Sequence, residues 1–85
     1  MNFGKALEEL KGCRKVSRSG WNGKDMYLYI VVCGLPFPTL DETHKWSSDA
    51  FPLSKFIVMK TADNKLIPWL ASQTDILAED WGVVE

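Results

Sequence analysis

Residues 26–32 read Met-Tyr-Leu-Tyr-Ile-Val-Val, a strand pattern without a polar face. Alternation sends Met26, Leu28, Ile30 and Val32 to one side and Tyr27, Tyr29 and Val31 to the other. Neither side can be left in water without cost, because apolar area gains about 25 cal/mol per Å² on burial. One face therefore calls for a helix. The other, which carries the two tyrosines, calls for a neighbouring subunit or a ligand, since tyrosine combines apolar area with a hydroxyl that needs a partner.

The helix is at the N-terminus. Asn2 is a capping residue, Phe3, Ala6, Leu7 and Leu10 form one stripe, and Glu8, Glu9 and Lys11 turn to water until Gly12 ends the run. No other helix of this length is evident, so the stripe packs on a sheet. Residues 14–19 have Val16 as their one apolar residue and read as a brief strand at a sheet edge. Residues 55–60 form another strand, with Lys55 and Lys60 at its ends limiting edge pairing. Asp63-Asn64 turns the chain into residues 66–69, where Pro68 either ends the strand or leaves it an open side. A short helical turn around 74–79 and a terminal strand over 81–84 follow. Residues 34–54, with Pro36, Pro38, Pro52, a polar patch from Asp41 to Asp49 and Trp46 in its middle, read as a long central loop with one helical turn. The expected architecture is α+β: a single domain over 1–85, with one N-terminal helix packed on a twisted antiparallel sheet of four or five strands.

Such a chain is small for its apolar content. It has 85 residues, 46% of them hydrophobic, including four Trp, four Phe and two Tyr. A single core near this size supplies only ~3–5 kcal/mol. The surplus apolar surface is then shared between subunits or lines a site, which points to a homo-oligomer. The net charge of −1 hides a gradient: residues 1–24 carry six Lys/Arg against Glu8 and Glu9, whereas 70–85 carry Asp75, Glu79, Asp80 and Glu85 without a cation. This asymmetry suits head-to-tail pairing or a basic rim beside an acidic one. It does not suit bulk nucleic-acid binding, which needs a clustered basic surface.

Catalysis and metal binding find little support. His44 is the single histidine, no third group is evident to orient a pair with Cys13 or Cys33, and the acids match no ligand spacing. The expectation is a protein that is not an enzyme, with no cofactor and no metal. No apolar span of about 18–20 residues and no targeting run is present, so a soluble intracellular protein with reduced cysteines is expected.

Two stretches carry recognition chemistry. In Arg18-Ser19-Gly20-Trp21-Asn22-Gly23-Lys24-Asp25, two glycines bracket Trp-Asn and a cation stands on either side. This pattern suits an indole stacked on a base with cations near phosphates, although a turn whose Trp folds back on the sheet has the same composition. In Pro68-Trp69-Leu70-Ala71-Ser72-Gln73-Thr74-Asp75, an uncharged hydrogen-bonding run follows an aromatic wall. The same residues also fit a helix start, with Ser72 and Asp75 as a capping box.

These stretches, the opening Met1-Asn2-Phe3-Gly4-Lys5-Ala6-Leu7 and the run from Met59-Lys60-Thr61-Ala62-Asp63 through Val84 resemble the Thoeris anti-defense 2 family of small phage proteins. The resemblance implies a sponge. It would bind a cyclic ADP-ribose isomer, glycocyclic ADP-ribose, made by a bacterial TIR immune sensor and hold it uncleaved, so that the Thoeris effector stays off. It further implies a homotetramer in the host cytoplasm with ligand sites between subunits. On that reading Trp21 stacks on the base, and Arg18 and Lys24 are the cations for the phosphates, Arg18 favoured for its bidentate fork. Asn22, Ser72, Gln73 and Thr74 hydrogen-bond the riboses or the base edge. Trp69 is an apolar wall or part of the core, Trp81 is core, and Asp25 and Tyr27 beside the turn tune which isomer is held. Two other classes use the same residues. A single-stranded nucleic-acid module would lose affinity steeply with salt, and an inhibitor of a host protein would dock its aromatic face on that partner.

Overall fold

The computed structural model describes residues 1–21, 25–31 and 54–85. Asn22, Lys24, His44, Trp46 and the expected central loop as far as residue 53 lie outside the described residues.

Helix α1 (Phe3–Lys11) begins where its sequence says it should. Asn2 is extended, and its Oδ1 accepts from the Lys5 amide at 2.9 Å. At the other end the Gly12 amide donates to the Glu8 and Glu9 carbonyls, both at 3.0 Å. The chain then reverses through Cys13, whose φ of 65° lies in the left-handed region. Ala6 and Leu10 are buried, and Phe3 and Leu7 pack beside them.

Among the described residues five strands follow: β1 (Lys15–Arg18), β2 (Tyr27–Ile30), β3 (Ile57–Lys60), β4 (Leu66–Pro68) and β5 (Trp81–Val84). They form one antiparallel sheet in the order β4-β3-β2-β1-β5. The α+β architecture expected from the sequence is the one observed. Two positions differ. β1 is interior and not an edge, because β5 returns to pair with it from Lys15↔Val84 to Arg18↔Trp81. β3 is also interior, so its lysines guard no edge. Among the described residues the edges are β4, which ends at Pro68, and β5. A proline is tolerated there because no further strand among the described residues needs its missing N–H.

The alternation in β2 divides the core as the sequence requires. On the helix side, Ala6, Leu10, Val16, Leu28, Ile30, Met59 and Trp81 are buried together. On the opposite side lie Tyr29, Val31 and Val58, flanked by Tyr27, Phe56 and Leu66.

Between β4 and β5, α2 (Gln73–Leu77) starts at a complete capping box. Ser72 Oγ accepts from the Asp75 amide at 3.1 Å, and Asp75 Oδ2 accepts from the Ser72 amide at 3.3 Å. None of its five residues is buried. The chain ends meet at β5: the Met1 ammonium donates to the Trp81 carbonyl at 2.9 Å, and the Trp81 amide donates to the Met1 carbonyl at 3.1 Å. Among the described residues no helix is long and apolar enough to cross a membrane.

Candidate functional site

The two stretches with recognition chemistry meet in space, and Arg18 joins them. As the last residue of β1 it lies opposite Trp81. Its Nε donates to Asp80 Oδ1 at 2.8 Å and its Nη1 donates to Asp75 Oδ1 at 2.9 Å. Side-chain exposures of 16% for Arg18, 15% for Asp75 and 31% for Asp80 place the cluster largely out of water. Such charge-assisted bonds are stronger and more directional than neutral ones.

Each carboxylate uses its second oxygen on a different piece of backbone. Asp80 Oδ2 accepts from the Gly20 amide at 2.8 Å and from Ser19 Oγ at 3.3 Å. The Asp80 carbonyl accepts from the Ser19 amide at 3.1 Å, so the turn leading to Trp21 is wrapped around this one residue. A Cβ on Gly20 would come within 2.9 Å of Asp80 Oδ2, so any larger residue there would press on the carboxylate that anchors the turn. Asp75 Oδ2 accepts from Ser72 Oγ at 2.9 Å as part of the α2 cap.

These contacts set the charge states. Burial pushes the Asp75 carboxyl up, but hydrogen bonds from Arg18 and Ser72 outweigh it and leave it below its ordinary value. The Arg18 guanidinium, helped by the Gly20 amide, holds the Asp80 carboxyl down against its own desolvation. Asp80 and Asp75 in turn raise Arg18 above its ordinary value.

The aromatic wall stands behind this cluster, with Trp81 at its centre. Its ring centroid is 5.4 Å from Phe3, 5.5 Å from Trp21 and 6.1 Å from Trp69, and both indole pairs are T-shaped. Trp81 Nε1 donates to the Asp75 carbonyl at 3.0 Å, which fixes the ring relative to α2. Trp21 and Trp69 are half-buried against this core and keep part of each ring exposed.

Of the site residues expected from sequence, Arg18, Trp21, Trp69 and Ser72 are brought into one assembly, with Gln73 and Thr74 exposed on the first turn of α2. Asp25 is not part of it. With φ at 61°, it lines a cleft of about 420 Å³ that also includes Lys15, Ser17, Tyr27, Lys60 and Glu85. Tyr27 belongs to the face of the sheet away from α1. Lys15 and Lys60 place their ammonium groups 4.7 and 5.6 Å from the Tyr27 ring centroid, and Lys60 Nζ donates to the Asp25 carbonyl at 2.8 Å. Asn22 and Lys24 lie outside the described residues. Sequence reasoning read Asp75 as a helix cap and Asp80 as part of a charge gradient, and missed both as partners of Arg18 that anchor the turn. The signal was the charge gradient, part of which is used within one chain.

Among the described residues no group of three His, Cys, Asp or Glu side chains could hold a metal ion. The assembly presents the partly exposed Trp21 indole together with the uncharged, exposed Ser72, Gln73 and Thr74.

Comparison with known proteins identifies the family of the chain. Residues 1–84 match the family model described as the Thoeris anti-defense 2-like domain. A protein of Bacillus phage SP01 named Thoeris anti-defense 2 is 43% identical over 84 residues, spanning 99% of this chain and 94% of the relative. Matched from its capped helix to its closing strand, the chain belongs to the Thoeris anti-defense 2 family.

Proposed function

We propose that the protein is an anti-defense sponge. It binds a cyclic ADP-ribose isomer, glycocyclic ADP-ribose, made by a bacterial TIR immune sensor in the cytoplasm of the infected host, holds it uncleaved and so keeps the Thoeris effector from being activated. The observation that carries this reading is membership, over almost the whole chain, in a family named for countering Thoeris defence.

The geometry supports it in two ways. The half-exposed Trp21 ring and the uncharged Ser72, Gln73 and Thr74 belong to one anchored assembly, so a base and its ribose hydroxyls can be met together. Leu70, Leu77 and Ile76, which flank that polar run, are 91%, 75% and 45% exposed, an arrangement suited to burial against a second copy. The site then lies between subunits of a homotetramer. Sequestration requires slow release and no turnover, and a rigid pocket between preformed subunits meets that need by lowering the ordering cost of binding.

Calorimetric titration with glycocyclic ADP-ribose, followed by heating of the complex and mass analysis of the recovered nucleotide, tests the reading. Tight binding with the ligand returned unaltered is expected. A cleaved ligand would make the protein an enzyme, and absence of binding would turn attention to direct inhibition of a host protein.

A further inference from the structure

We propose that Arg18 is a positioning residue of the ligand site, a tie that sets the Trp21 turn against the first turn of α2, and that it does not itself hold the ligand's phosphates. The inference rests on the reading above that these two pieces meet the nucleotide.

Three observations carry it. The first is how the two carboxylates divide their oxygens. Asp80 gives Oδ1 to Arg18 and Oδ2 to the Gly20 amide and Ser19 hydroxyl, while Asp75 gives Oδ1 to Arg18 and Oδ2 to the Ser72 cap. Arg18 is thus the shared partner of one carboxylate that shapes the turn and another that starts α2. The second is charge. Two carboxylates against one guanidinium leave the cluster net negative, an environment that repels a pyrophosphate. The third is access. Arg18 is 16% exposed, with its Nε and Nη1 already engaged at 2.8 and 2.9 Å. A phosphate that took Nε or Nη1 in place of either partly buried carboxylate would leave that carboxylate without its charged partner.

A tie of this kind acts before the ligand arrives. It holds the Trp21 turn at a fixed distance from Ser72, Gln73 and Thr74 in the free protein, so that little conformational freedom remains to be lost on binding. The negative charges of the ligand are then met by donors elsewhere in the assembled site.

Asp80→Asn separates the two roles by sign. If Arg18 positions the turn, weakening its tie lowers affinity for glycocyclic ADP-ribose by about tenfold, the factor carried by one charge-assisted hydrogen bond. If Arg18 holds phosphate, removing its competitor frees the guanidinium and tightens binding. In the ligand-free protein, Asp80→Asn is also expected to speed amide exchange at Ser19 and Gly20 relative to amides in β2 and β3. Gly20→Ala, which crowds the Asp80 carboxylate while keeping every charge, is expected to weaken binding in the same way and stands in if Asp80→Asn does not fold. Unchanged or tighter binding with unchanged exchange overturns the proposal. If the wild-type protein binds no cyclic ADP-ribose isomer, the functional reading falls, and the exchange measurement still decides whether the tie holds the turn.

Discussion

Trp81 meets Trp21 edge to face, with ring centroids 5.5 Å apart and planes at 81°. The inner ring is 3% exposed and is bonded to the Asp75 carbonyl, while the outer one is half-buried. The two indoles should therefore respond differently to truncation. Trp81→Ala is expected to cost about 3–5 kcal/mol, a large part of the ~5–15 kcal/mol that a small domain has in total. Urea titration followed by circular dichroism will show this as a lowered midpoint. Trp21→Ala should leave the fold in place and abolish nucleotide binding in the calorimeter.

Acid should loosen the junction between the turn and α2. Asp75 and Asp80 both sit below their ordinary value of 3.8 in the folded protein. Their contribution is therefore fully present above that value and is lost as pH falls through the lower folded values. Thermal melts between pH 6 and pH 2 should show stability declining from about pH 4–5 downward. Asp80→Asn should flatten that decline without removing it, because Asp75 and the Thr61-bonded Asp63 are also held low.

Gly20 and Gly82 should give opposite results when each is replaced by alanine. A Cβ at Gly20 meets Asp80 Oδ2 at 2.9 Å, and this carboxylate is fixed by its other bonds, so a loss of about 1–3 kcal/mol is expected. A Cβ at Gly82, within β5, meets nothing within 4 Å among the described residues. Glycine within a strand costs roughly 0.5–1 kcal/mol relative to alanine, so Gly82→Ala should stabilise by up to about that amount. Chemical denaturation of both variants beside wild type checks the signs.

Leu70 and Leu77 contribute little to the fold of one chain, since both side chains are mostly exposed. Replacing them together with aspartate should change the melting of the isolated chain by no more than ~0.5 kcal/mol per site. If the flank of α2 is covered by a second copy, the same change should shift the sedimenting species from tetramer to smaller forms and weaken nucleotide binding in parallel.

What the sequence revealed and what it concealed follow the range of the interactions. The ends of α1 were legible because Asn2 and Gly12 act on backbone within one helical turn. The two-sided character of β2 was legible because alternation is a local pattern. The interior position of β1 was not, since its second partner, β5, comes from the far end of the chain and polar Lys15, Ser17 and Arg18 suggested an edge. Likewise Ser72 and Asp75 were readable as a cap, while the bonds from Arg18 to Asp75 and Asp80 span 57 and 62 residues. Trp81 was legible as a core residue and is 3% exposed, whereas the way Trp21 and Trp69 lean on it depended on how β5 docks.

The pairing of β1 with β5 also governs the order in which the protein can be made. The final strand supplies Trp81 to the core, the residue just before it supplies Asp80 to the turn, and neither exists while the ribosome is still translating the middle of the chain. Loop closure over such a separation must precede any gain from the contacts it makes. A translation product that stops short of β5 would have a helix and a partial sheet but no anchored Trp21, so premature termination should yield chains with no competence to bind. Competence should arise all at once, when β5 has been made and has paired with β1.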